Sequence, residues 1–158
     1  MTRQPVPVLL AALGPRLLRV ADELADGAVL FMASARAIET HIAPRLRAAA
    51  SAAGRPKPRI VAGLPVAVHD DIDEARAAVA TTAVIYEGMP NYRRIKEIGG
   101  ARSPADVAVL GDEKNVTRQL QGLLDAGATD IQVFVVPVGQ DPRRSRQRTM
   151  DLLTSLVT

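Results

Sequence analysis

Pro7-Val-Leu-Leu-Ala-Ala-Leu-Gly-Pro-Arg-Leu-Leu18 decides how the rest of the chain is read. Val6–Leu13 is an apolar run rather than an alternating one, which is the pattern of a strand buried on both faces of a parallel sheet. Gly14-Pro15 then opens a helix. Pro15 suits the first helical position because the N–H it lacks has no partner there. Leu17, Ala21 and Leu24 recur at i, i+4 and i+7 and predict one core-facing stripe. Asp26-Gly27 ends that helix. A buried strand, a glycine turn and an amphipathic helix make one βα unit.

The unit repeats along the chain. Ala28–Ala33 is a second apolar run, and Ser34 is a good N-cap for a helix whose Ile38, Ile42 and Leu46 share a face. Pro44 inside this pattern predicts a kink or a split. Gly54 ends the helix, and Arg55-Pro56-Lys57-Pro58 is a stiff connector. Arg59–Val68 is the third run, where Gly63 and Pro65 predict a bulge or an irregular end. Asp70 or Asp71 caps the next helix, with Asp71-x-x-Glu74 in capping-box spacing and Ile72, Ala75, Val79 and Tyr86 on its buried face. Gly88-Met89-Pro90 breaks it, Tyr92–Ile98 suggests another helix, and Gly99-Gly100 breaks again. Val107–Leu110 is too short, and too close to the next helix, to count as a strand. The helix Glu113–Ala126 buries Val116, Leu120 and Leu123, and Gly127 stops it. Ile131–Val138 is the clearest strand, and a final helix starts at about Pro142.

Four strands alternating with helices predict an α/β fold with parallel pairing and right-handed crossovers. A full (βα)8 barrel takes about 250 residues, so 158 residues suffice for about half of one, a partial barrel of four βα units. A four-stranded open sheet wound on one face is the structural alternative.

Composition narrows the function classes. With 47% hydrophobic residues, positions 1–158 read as one domain with a true core. No Cys is present, which removes disulfides, thiolate nucleophiles and sulfur-bound zinc. His41 and His69 lie too far apart for a two-His metal motif on one helix face. Aromatic residues are 3% with no Trp, which argues against a base-stacking surface for nucleic acid. The net charge of +3 is small, and the cluster Arg143, Arg144, Arg146 and Arg148 reads as the solvated face of the last helix. Met1–Leu13 has a leader-like flavour, yet Pro7 and Gly14-Pro15 interrupt it and no convincing cleavage site follows. No run reaches the ~20 apolar residues of a membrane span. A cytoplasmic protein without nucleic-acid or membrane partners is expected.

The stretch Pro7–Leu18, followed by Ala21-Asp-Glu-Leu-Ala-Asp-Gly27, resembles a signature of the luciferase-like (LLM class) flavin- or deazaflavin-dependent oxidoreductases. Similar stretches are His41-Ile-Ala-Pro-Arg-Leu46 with Ala53-Gly-Arg-Pro56, Ser103-Pro-Ala-Asp-Val-Ala-Val-Leu-Gly-Asp112, and Asp125-Ala-Gly-Ala-Thr-Asp130. The flavour is that of the branch using coenzyme F420, with FMN as the alternative. The resemblance implies a luciferase-like TIM barrel of which this chain is the carboxy-terminal half, with strands five to eight. The other half would carry the family's proton-donating residues and a non-proline cis peptide, so no catalytic residue and no metal ligand is assigned here.

Ala11, Ala12, Leu13, Gly14 and Pro15 are the candidate coenzyme contacts. A strand end, a glycine and a helix N-terminus leave backbone N–H groups free and partly positive, and Gly14 permits close approach of an oxygen ligand. The resemblance implies that this loop meets the coenzyme's phosphate region, and Arg16 would add a charge-assisted bond. The plain alternative is a strand-to-helix turn. Ala33 and Ser34 end the next strand, and Ser34 is equally well an N-cap. His69 follows the third strand on the functional side of a barrel, but with no identifiable partner it reads as a turn residue before the capping aspartates. His41 reads as a surface residue, and Asp26, Asp112 and Asp130 as helix-end and turn residues.

Two functions compete. One is hydride transfer between coenzyme F420, or FMN in a luciferase-like monooxygenase, and an unknown organic substrate. The other is a non-catalytic half-barrel remnant or oligomerisation module. Either leaves two strand edges unpaired, which predicts a homo-oligomer or a complementing amino-terminal half.

Overall fold

Each connection returns the chain to the end of the sheet where the previous strand began, so every strand pairing is parallel. The computed structural model describes residues 6–157, and residues 1–5 of the leader-like start lie outside them. β1 (Leu9–Ala11) is followed by α1 (Pro15–Leu24), β2 (Gly27–Phe31), α2 (Ala35–Ala37) and α3 (Ala43–Ala52). β3 (Arg59–Val68) leads into α4 (Ile72–Glu87) and α5 (Pro90–Gly99). A short strand β4 (Val109–Gly111), α6 (Glu113–Asp125), β5 (Asp130–Val135) and α7 (Pro142–Val157) complete the order.

β3 is the centre of the sheet. It pairs with β2 through Arg59–Gly63 and with β5 through Val61–Val66. β1 extends the sheet beyond β2, from Leu9 opposite Gly27 to Ala11 opposite Val29. These four strands are the four consecutive barrel strands that the sequence predicts. The segment set aside as too short, Val107–Leu110, does yield a fifth strand. β4 pairs with the tip of β3, Val66–Val68 opposite Val109–Gly111. Val66 has partners on both sides, Val109 and Val135, so β4 takes the flank that β2 has vacated.

That vacancy explains why the expected irregularity of β3 does not occur. Pro65 falls between Gly63, the last residue paired to β2, and Val66, the first paired to β4, where no ladder N–H is needed. Gly63 is a space requirement, because a Cβ there would stand 3.3 Å from the Phe31 ring. The strand runs unbroken from Arg59 to Val68 and is buried from Ile60 to Val68.

One face of the sheet carries the main core. Ala28, Leu30, Ile60, Ala62, Leu64, Val66 and Val68 pack with Leu18, Ile38, Ile42, Leu46, Val116 and Leu120 of the helices. Pro44 splits its helix as expected, through a π-helical turn at Ile38–Ile42 closed by the Ala43 N–H on the Ile38 carbonyl. The wider turn accommodates a proline that has no N–H to donate one turn back. α1 is rotated from the expected stripe. Leu18, Ala21 and Asp22 are buried, whereas Leu17 is 46% and Leu24 78% exposed. Pro15–Leu24 carries two overlapping apolar stripes, and the sheet chose the one through Leu18. Ile72 likewise lies exposed, with Ala75, Val79 and Ala83 forming the buried face of α4.

Asp22 is the uncomfortable member of this core. Its Oδ1 is buried without a hydrogen-bond partner. Burial pushes its carboxyl above the usual carboxylate range, Arg45 pulls it back, and Glu23 adds to the rise. A raised folded pKa means that this group favours folding while protonated and opposes it as pH rises through that pKa. Asp22→Asn should therefore stabilise the chain at pH 7.5 by about 1 kcal/mol, a few degrees in melting temperature. The gain should shrink toward pH 4, and melting curves showing an equal gain at both pH values would refute the burial argument.

Candidate functional site

The carboxyl ends of β1, β2, β3 and β5 all open on one side of the sheet, the side on which barrel folds build their sites. At the end of β1 the Ala12 N–H donates to the Val29 carbonyl at 3.1 Å, closing the ladder. Gly14 then takes the N-cap position with φ −76° and ψ 152°, and Pro15 begins α1. The Gly14 carbonyl accepts from the Leu18 N–H at 2.9 Å. The N–H groups of Leu13, Gly14, Arg16 and Leu17 have no partner among the described residues. Ala12 and Gly14 are buried, Leu13 is half-buried, and Ala11, Pro15 and Arg16 are exposed. Free donors at the positive end of a helix dipole can hold an anion.

A residue that the sequence did not single out completes this turn. The Asn91 side chain of α5 lies against Gly14, its Oδ1 2.9 Å from where a Cβ on Gly14 would be. Asn91 is exposed and its side-chain amide makes no hydrogen bond among the described residues. It sits in the first turn of α5, so two helix N-termini meet at Gly14. The turn is thus a cradle with free main-chain donors, one free side-chain amide and one free guanidinium at Arg16. A phosphate group fits that donor set.

α4 and α5 cross the carboxyl ends of the strands. Beyond Asn91 on Gly14, Gly99 stands against Ser34 and Ala37 beside β2. Ser34 is occupied as a cap, accepting the Ala37 N–H at 3.3 Å. Beneath the crossing lie Phe31, Tyr86, Tyr92 and Phe134, which are all the Phe and Tyr residues of the chain. Phe31 meets Tyr86 at 5.1 Å and Phe134 at 4.8 Å in edge-on geometry, and Tyr86 meets Tyr92 at 4.8 Å. Directly after Phe31, Met32 holds φ +62°, the only positive φ outside glycine among the described residues. Such a conformation is strained for a bulky side chain and is typical of constrained sites.

A second cluster stands at the ends of β3 and β5. His69 does have a partner, contrary to the turn reading. Its Nε2 lies 2.7 Å from the Glu74 Oε2, and its backbone N–H donates to the Gly111 carbonyl at 2.9 Å. Asp71 caps α4 through the N–H groups of Asp73 and Glu74, leaving the Glu74 carboxylate for His69 rather than for a capping box. His69 lines a cavity of about 390 Å³ with Gly139, Gln140, Arg144 and Arg148. The arginine cluster is only in part a solvated face. Arg148 is held between Asp70 at 2.8 Å and Glu113 at 2.7 Å, which lowers both carboxyl pKa values and raises its own.

The remaining singled-out residues are structural. Asp26 accepts the Val8 N–H at 2.7 Å, Asp112 caps α6 through the Asn115 N–H, and Asp130 pairs with Arg59 at 2.6 Å. His41 is not a plain surface residue, since its Nε2 is buried without a partner in the π-helical turn. Burial, Arg45 and Arg94 hold its pKa below the ordinary histidine value. No helix among the described residues is long and apolar enough to cross a membrane.

Comparison with known proteins fits this architecture. The 5,10-methylenetetrahydromethanopterin reductase of Methanopyrus kandleri is 25% identical over 167 aligned positions, covering 89% of this chain and 47% of its own length. The structure of the coenzyme F420 dependent tetrahydromethanopterin reductase from that organism superposes with a TM-score of 0.66 at 22% identity, over 90% of this chain and 48% of its own. An F420-dependent secondary alcohol dehydrogenase in complex with an F420-acetone adduct reaches 0.72 at 14% identity, over 98% and 50%. The FMN-bound oxygenating constituent of 3,6-diketocamphane monooxygenase from Pseudomonas putida reaches 0.63 at 20% identity, over 92% and 46%. The chain spans about half the length of the relatives it matches. A family model described as luciferase-like monooxygenase matches residues 1–157, and with the half-barrel just described this places the chain in the luciferase-like family.

Proposed function

We propose that this chain is the coenzyme-gripping half of a deazaflavin-dependent oxidoreductase, and that coenzyme F420 is held by its phosphate at the Gly14 turn. The observation that carries this is the convergence of free donors there: the N–H groups of Leu13, Gly14, Arg16 and Leu17 beside the Asn91 amide. The match to a relative named as an F420-dependent reductase supports that coenzyme over FMN. When bound, the deazaflavin ring supplies hydride transfer to or from an organic substrate. The protein's own share is orientation and electrostatics. The main-chain N–H groups of Leu13, Gly14, Arg16 and Leu17 and the α1 dipole bind the anion within the Ala11–Pro15 loop, the Arg16 guanidinium screens its charge, and the Asn91 side chain lies beside it.

Closure of the barrel belongs to the same reading. β1 and β5 each have one unpaired edge among the described residues. Beside the β1 edge, Val8, Leu17, Val20 and Leu24 are exposed, and beside β5 so are Leu124 and Leu156. Four more parallel βα units, from a second copy or a complementing amino-terminal half, would pair with both edges and bury these side chains. A two-fold axis along the barrel axis keeps all eight strands parallel. For the chain alone, light scattering should give about twice 16.8 kDa. Leu24→Glu should return it to a monomer that still folds, because Leu24 makes little contact within one chain, and that melts at a lower temperature because the stabilising partner is lost. A stable wild-type monomer would overturn self-assembly.

The coenzyme reading is tested by titrating the purified chain with F420 and, separately, FMN, following the emission of each. F420 should bind and FMN should bind more weakly. Gly14→Val should weaken F420 at least tenfold with the fold intact, since φ −76° suits any residue and the new side chain displaces Asn91. No response at high micromolar coenzyme would sink the reading and leave a non-catalytic remnant. Tighter binding of FMN would move the chain to the monooxygenase branch.

A further inference from the structure

The aromatic residues are few, and their placement is selective. The main core is built from Ala, Val, Leu and Ile, while Phe31, Tyr86, Tyr92 and Phe134 come from β2, α4, α5 and β5 to one spot. Their local sequences share nothing that foretells the meeting. Three of the rings are half-buried and Phe134 is 43% exposed, so ring surface remains available. The cluster lies at the carboxyl ends of the strands, next in sequence to Asn91 of the Gly14 turn and to the strained Met32.

Two features separate this cluster from simple packing. Gly63 is kept free of a side chain where a Cβ would crowd the Phe31 ring at 3.3 Å, so the backbone is shaped to seat that ring. The hydroxyls of Tyr86 and Tyr92 make no hydrogen bond among the described residues and neither is a buried unpaired atom, so both reach the surface, where a ligand can accept from them. Burial raises the Tyr92 pKa, so its hydroxyl stays protonated and is a donor. Edge-on rings present both faces and edges to an added ring, and no cation stacks on them among the described residues.

We propose that Phe31, Tyr86, Tyr92 and Phe134 form a substrate subsite for a flat, uncharged aromatic carbonyl compound, with Tyr92 donating a hydrogen bond to the carbonyl oxygen. The substrate role rests on the coenzyme reading, because a hydride site gives the bound carbonyl its use. Binding to the subsite does not depend on it.

The test uses the wild-type chain, ring-labelled for NMR. Four Phe and Tyr rings and two His account for its whole aromatic spectrum, so the signals report the subsite directly. Acetophenone at millimolar concentration should shift all four Phe and Tyr rings, ethylbenzene should bind more weakly, and benzoate should not compete. Phe134→Ala, on an edge strand and partly exposed, should weaken acetophenone and ethylbenzene alike by about fivefold. Tyr92→Phe should weaken acetophenone about threefold and leave ethylbenzene unchanged, a split that loss of packing alone would not produce. No ring shift at the solubility limit, equal effects of Tyr92→Phe on both probes, or benzoate binding as well as acetophenone would each overturn the proposal. Ring shifts in a chain that binds neither F420 nor FMN would support the subsite while counting against the coenzyme reading alone.

Discussion

The parallel ladder on both flanks of β3 is the interaction on which the molecule depends. Buried from Ile60 to Val68, β3 offers Ile60, Ala62, Leu64, Val66 and Val68 to the helices and Gly63 to the opposite face. Its register against β2 and β5 sets where those strands end. A shift of one residue would exchange the two faces and expose the whole aliphatic set to the wrong side. With the register set, Phe31, His69 and Phe134 all arrive at the same end of the sheet.

At that end, α4 and α5 do what no strand does: they connect the loops sideways. Pro90 and Gly100 limit α5, so that Asn91 reaches the Gly14 turn while Gly99 packs on Ser34. A tight backbone contact at each end leaves little freedom for Tyr92 between them. Strain at Met32 persists for the same reason, because the buried side chain and the bond from its N–H to the Gly63 carbonyl over-determine the backbone. His69 and Glu74 are tied in the same way by the capped start of α4.

The sheet is finished at its centre and unfinished at its margins. Exposed Val8, Leu17, Val20 and Leu24 on one side, and Leu124 and Leu156 on the other, flank strands whose edges are unpaired among the described residues. Apolar side chains beside an open edge invite strand pairing. The relative from Methanopyrus kandleri is matched over 47% of its own length.

Local chemistry was readable directly. Pro15, Pro44, Ser34, Asp71 and Gly127 act through their own backbone geometry or that of near neighbours, so the helix starts, the split helix, the helix stops and the strand-to-helix turn at Gly14 follow from sequence alone. What depended on distant groups was not readable. The stripe of α1 that faces the sheet was decided by packing, since Leu17 and Leu18 are equally apolar. β4 forms only because β2 stops short and leaves half of β3 without a partner. Asn91, 77 positions from Gly14 in sequence, and four rings drawn from four elements are brought to one end of the sheet by the packing of α4 and α5. Periodicity encodes which face of an element is apolar; only closure of the sheet and its covering helices decides which side chains from remote elements occupy the same space.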